Sequence, residues 1–114
     1  MVDHVAIPVR NLEASRTFYE PLFAGPGAKV LMEWPGLTLF GTDDGMVGLR
    51  QSEEVMPIHI AFKADRAGVD SFYETALAAG GSDNGAPGIR PDLHENYYAA
   101  YVIDPEESSS LVIP

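Results

Sequence analysis

The chain repeats itself, and an internal repeat constrains architecture more tightly than composition does. The stretch HVAIPVRNLEASRTFYEPLF, starting at His4, is matched by HIAFKADRAGVDSFYETAL, starting at His59. His4 and Ala6 align with His59 and Ala61 at an offset of 55 residues, and Phe18-Tyr19-Glu20 align with Phe72-Tyr73-Glu74 at an offset of 54. One residue has been lost in the intervening turn. The chain thus divides into two halves of similar plan, module one over residues 1–52 and module two over 57–114, with the junction at Glu53 to Pro57.

Each half opens on an alternating segment, the signature of a strand with two unlike faces. Val5, Ile7 and Val9 point one way, His4, Ala6 and Pro8 the other; Ile60 and Phe62 stand likewise against His59 and Ala61. A helix follows each strand. Asn11 and Asp65 are good N-cap residues, and Leu12, Tyr19 and Phe23 in one helix and Val69, Phe72 and Ala76 in the other make apolar stripes. Gly80-Gly81 ends the second helix.

After the first helix come the β-like runs AKVLMEW, LTLFGT and MVGLRQ, separated by the turn signals Pro35-Gly36 and Asp43-Asp44-Gly45. After the second, the Gly- and Pro-rich stretch from Asp83 to Pro91 reads as loop or short edge strand, followed by NYYAAYVI and SSLVI. Each half is βαβββ. The expected fold class is α+β: two paired βαβββ modules, about eight strands in all, forming a curled mixed sheet around a cleft with both helices on the outer face. If the equivalent first strands lie side by side, His4 and His59 share that cleft.

A chain of 114 residues is the length of one domain, and its apolar content of 46% is ordinary for a globular protein. Seventeen acids against seven bases, a formal charge of −10, argue against nucleic acid or an anionic membrane as partner and favour a neutral or cationic small ligand. With no cysteine, any metal must be held by His, carboxylate or amide. The Met1-Val2-Asp3-His4 start lacks the basic and apolar regions of a signal peptide, and no run approaches the ~20 apolar residues of a membrane span. A soluble, cytoplasmic protein is expected.

The segments DHVAIPVRNLEASRTFYE, HIAF and NGAPGIRPDLHENYYAAYVIDP, together with the repeat, resemble the vicinal oxygen chelate superfamily of glyoxalase I, extradiol dioxygenases and bleomycin-resistance proteins, over nearly the whole chain. The resemblance implies a small-molecule ligand or substrate, a homodimer and, in enzymatic members, one divalent ion (Zn, Ni, Mn, Co or Fe). That ion is held by His or Glu from the first and last strands of each module. It keeps open positions for two neighbouring substrate oxygens, where it acts as a Lewis acid. On this resemblance His4 and His59 match the first-strand metal ligands.

The last-strand ligands do not match. DPEESSSL places Leu111 or Val112 where the enzymes carry Glu, and in module one only Gln51 of MVGLRQS offers an oxygen. The resemblance therefore implies a small-molecule binder with a degenerate or atypical metal site. The alternative is a metal-dependent lyase, isomerase or dioxygenase acting on vicinal oxygens.

In that alternative His94 or Tyr98 assists proton transfer, His94 because an imidazole titrates near neutrality. The ligand-binding candidates are Trp34, Tyr97 and Tyr101, which can stack on a ligand, with Arg90 in the loop before them. Tyr98, Ala100 and Val102 share one strand face and Tyr97, Ala99 and Tyr101 the other, and alternation does not say which meets the cleft. The run from Glu106 to Ser110 reads as a solvated turn.

Overall fold

The computed structural model describes residues 2–106 and, through the backbone, 109–113. Module one is built from β1 (His4–Val9), α1 (Leu12–Ala24), β2 (Lys29–Trp34), β3 (Leu37–Thr42) and β4 (Gly45–Gln51). Module two comprises β5 (Ile58–Ala61), α2 (Arg66–Ala78), the two-residue strands β6 (Ser82–Asp83) and β7 (Gly88–Ile89), then β8 (Tyr98–Ile103) and β9 (Ser109–Ile113). The βαβββ plan holds in module one, and in module two with β6 and β7, which both lie along β8, counted as one interrupted edge strand. The stretch expected as loop or short edge strand supplies β6 and β7, each lying antiparallel to β8.

The two sheets have matching topology. In the first, β1 lies parallel to β4, and β4, β3 and β2 follow antiparallel. In the second, β5 lies parallel to β9, which pairs antiparallel with β8. Pro35-Gly36 turns β2 into β3, with Gly36 at φ +80°, a left-handed value that a side chain would resist.

Among the described residues the two sheets do not join edge to edge within one chain. β1 and β5 are outer strands of different sheets, so the expected side-by-side placement of His4 and His59 does not occur in a single copy. The helices join the modules instead. Ile7 and Val9 of β1, Phe40 of β3, Leu49 of β4 and Ala100 and Val102 of β8 pack with the stripes of α1 and α2 in one buried cluster. Phe23 is its hinge: its ring lies 5.3 Å from Phe40, 5.5 Å from Tyr19 and 5.4 Å from Phe62, which in turn approaches Phe72 at 6.1 Å.

A polar joint lies beside this core. The Tyr19 hydroxyl donates to Asp104, a carboxylate 2% exposed at the end of β8. Glu106 accepts hydrogen bonds from the backbone N–H groups of Arg10 and Asn11, at 3.0 and 3.1 Å, and from the Ser15 hydroxyl at 2.6 Å. The expectation of a solvated turn is thus wrong for Glu106, which sits at the N-terminus of α1. There it satisfies amides the helix cannot use and meets the positive end of its dipole. Asn11 caps the same helix through Ala14, as Asp65 caps α2 through Gly68.

Candidate functional site

Each sheet has one face against the helices and one free of them. Because Ile7 and Val9 are in the core, His4, Ala6 and Pro8 occupy the helix-free face of the first sheet. Residues directly opposite in register share a face. His4 pairs with Met46, Ala6 with Gly48 and Pro8 with Arg50; Gly48 pairs with Leu39, and Arg50 with Leu37. Beyond them, Trp34 stands opposite Leu37, Met32 opposite Leu39 and Lys29 opposite Gly41.

This face is open and apolar. Leu31, Met32 and Trp34 are about half exposed, at 47%, 50% and 50%. Bare backbone lets long side chains lie flat on the sheet: a Cβ on Gly41 would stand 2.6 Å from the Leu31 side chain and 2.8 Å from Met46. One on Gly48 would meet Leu37, Leu39 and Ala6. His4 Nδ1 lies 2.8 Å from Asp3 Oδ1, so a proton held there leaves Nε2 with its lone pair.

In the second sheet His59 and Ala61 face away from the helices, while Ile58 and Ile60 pack against the core. Ala61 pairs with Val112, which pairs with Tyr101. Tyr101 therefore shares a sheet with His59 two strands away. The Arg90 guanidinium lies over the Tyr101 ring at 5.2 Å, and the Arg90 N–H donates to the Tyr97 carbonyl at 2.7 Å. Three of the residues expected to bind ligand, Arg90, Tyr97 and Tyr101, are thus neighbours, and Trp34 stands on the other sheet.

Tyr98 is placed on the opposite side. Its hydroxyl donates to Asp70 of α2, and the Arg66 guanidinium lies over its ring, 5.1 Å from the centroid. The bond to Asp70, with burial adding to it, raises its pKa above the ordinary phenol value, so it stays protonated at neutral pH. Tyr98 thus faces α2 and holds its proton, on the side of β8 away from the histidine-bearing face. His94 lies in the exposed β7–β8 loop, its ring 4.9 Å edge-on from Tyr97 and its Nδ1 accepting from the Asn96 N–H at 3.3 Å. Its contacts are local to the loop.

On the metal positions, Ser110 pairs with His59, Leu111 with Ile60 and Val112 with Ala61. The side chains of Leu111 and Val112 lie outside the described residues. Among the described residues no three His, Asp or Glu side chains converge as a metal site. The helix-free face also carries Lys29, Leu31, Met46 and Arg50, which the sequence does not single out. A β-bulge between Val30 and Met32 shifts the alternation in β2, so Lys29 takes the face that a regular strand would give to Val30. Nothing in the sequence marks that bulge.

A further cavity, about 330 Å³, lies on the helix side between the end of α1 and the start of α2, lined by Leu22, Phe23, Phe62, Lys63 and Phe72 among others. It is separated by the sheets from both histidines. No helix among the described residues is long and apolar enough to cross a membrane.

No family model matches this sequence, and no curated protein does. Solved structures do. A glyoxalase/bleomycin resistance protein from Albidiferax ferrireducens T118 superposes with a TM-score of 0.86 at 23% identity, over 100% of this chain and 98% of that one. A glyoxalase/bleomycin resistance protein/dioxygenase family enzyme from Burkholderia phytofirmans PsJN gives 0.76 at 21% identity, over 97% and 94%. A lactoylglutathione lyase from Agrobacterium tumefaciens gives 0.75 at 22%, over 99% and 91%. The paired βαβββ modules are therefore the fold of the glyoxalase/bleomycin resistance/dioxygenase proteins, the vicinal oxygen chelate fold.

Proposed function

We propose that this protein binds a small molecule in a cleft formed by the helix-free faces of two copies, β1 of one copy lying against β5 of its partner. The observation that carries the reading is the pair of open edges. Each first strand bears a histidine and an apolar face, and among the described residues each leaves one row of backbone hydrogen-bonding groups without a neighbouring strand. Exposed strand edges of this kind are usually covered, because they recruit any other strand. Pairing the edges between copies satisfies both. It also brings the Trp34 wall of one sheet towards the Tyr101 wall of another.

The donor set does not fill a catalytic metal shell. His4 and His59 supply two imidazoles from separate sheets, whereas a two-histidine iron site takes a carboxylate as well. We therefore assign them to the cleft wall, as a partial metal site. The second reading, a metal-dependent lyase, isomerase or dioxygenase, is favoured by the Asp3–His4 pair, which leaves Nε2 free to coordinate. Near-stoichiometric Zn, Ni, Mn, Co or Fe(II) on the purified protein, lost in a His4→Ala/His59→Ala double variant, would establish that reading.

Amide hydrogen exchange tests the shared cleft. Protection of β1 and β5 amides at high protein concentration that falls on dilution is the expected result. Edge amides that exchange rapidly at every concentration would refute it.

A further inference from the structure

The acidity of the chain is not spread evenly. Among the described residues the strands contain two acids, Glu33 and Asp83, and both face the helices. Glu33 pairs with Arg16 of α1, and Asp83 accepts from the Tyr73 hydroxyl of α2 at 3.0 Å. The helix-free faces set Lys29, Arg50, Arg90, His4 and His59 among their apolar residues, and the acids beside the first sheet, Asp3, Asp43 and Asp44, gather at the His4 end of β1 and the β3–β4 turn. Within a chain of formal charge −10, Arg90 is thus a local basic point.

Arg90 is seated rather than trailing in solvent. One Nη donates to the Ala86 carbonyl at 2.6 Å, and the guanidinium lies over the Tyr101 ring. The seat exists because two residues lack side chains. A Cβ on Gly88 would stand 3.0 Å from Arg90 Nη1; one on Gly85 would stand 3.3 Å from Nη2 and 2.9 Å from the Tyr101 ring. Gly85 also holds φ at +144°, a backbone conformation that side chains disfavour. The ion pairs among the described residues are Asp3–His4, Arg16–Glu20 and Arg16–Glu33, so Arg90 faces no carboxylate there.

A half-buried guanidinium anchored over a ring, with donors to spare and no ion pair among the described residues, suits a planar anion, which it can meet with two parallel hydrogen bonds. Tyr101 offers its ring beside the charge, on the face of the second sheet that also bears His59 and Ala61. Resting on the cleft reading, we propose that the ligand is a small organic carboxylate with a planar or apolar body. Its carboxylate is received by Arg90 and its body lies against Tyr101 and the Trp34 wall. Local charge thereby reverses the preference for cations that net charge alone suggests.

The test is an amide NMR titration of the full chain with phenylacetate, phenylacetamide and phenethylamine, one ring carrying negative, neutral and positive groups. Phenylacetate is expected to bind at least about tenfold more tightly than the amide, and the amine most weakly. Arg90→Met removes the acid preference and Arg90→Lys keeps part of it, with thermal melting confirming that both variants fold. Equal affinity for acid and amide, or an acid preference that survives Arg90→Met, overturns the anion site while shifts at Trp34 and Tyr101 leave the cleft standing. Shifts from none of the three, or only far from the helix-free faces, remove the cleft and the anion site together.

Discussion

Glu106 has its partners some ninety residues away in sequence. Its carboxylate ends on the Arg10 and Asn11 amides just before α1 and on Ser15, and so ties the β8–β9 turn of module two to module one. Glu106→Ala leaves those donors to water and is expected to cost about 1–2 kcal/mol, with Glu106→Gln recovering part, as read by urea denaturation. No loss in the Ala variant would mean that the joint is incidental. Tyr98 is the residue for pH. Its pKa is raised, so the folded state favours the protonated phenol, and its contribution is complete below about pH 10 and fades as pH climbs through the raised value. Tyr98→Phe should therefore melt below the wild type at pH 8, with the gap closing above pH 10, and its affinity for cleft ligands should be unchanged. A constant gap across that range would contradict the pairing with Asp70.

At the scale of elements, the sequence is most legible where a pattern is local. Two strands with His on one face, two capped helices and the Pro35-Gly36 hairpin all rest on neighbours within a few residues, and all stand where alternation and capping place them. The bulge in β2, the facing of Tyr98 and the seat of Arg90 were not legible, because each depends on a contact between segments far apart in the chain. Alternation alone leaves both faces of β8 open, and α2 decides between them through Asp70. The helices also decide how the modules join. Phe23, 4% exposed, touches rings from both modules, so Phe23→Ala should cost about 3–5 kcal/mol. If one core serves both modules, unfolding followed by Trp34 fluorescence and by amide signals of β8 should coincide in the wild type. Separate transitions would show two cores.

For the whole molecule, packing through the helices leaves an elongated chain, 43 × 28 × 25 Å, with its two first strands as free edges. The histidines, the aromatic walls and the basic residues lie on faces that one copy does not close over. On the function proposed above, a second copy completes the cleft. The expectation of both first strands in a single cleft is not met within one chain, where β1 and β5 end different sheets. It could not show which chain provides each strand, because pairing within a chain and pairing between chains satisfy the same alternation. Sedimentation velocity across a range of micromolar concentrations separates them. The account predicts a particle of twice 12.3 kDa that dissociates only on dilution, and a particle that stays at 12.3 kDa at every concentration would contradict it.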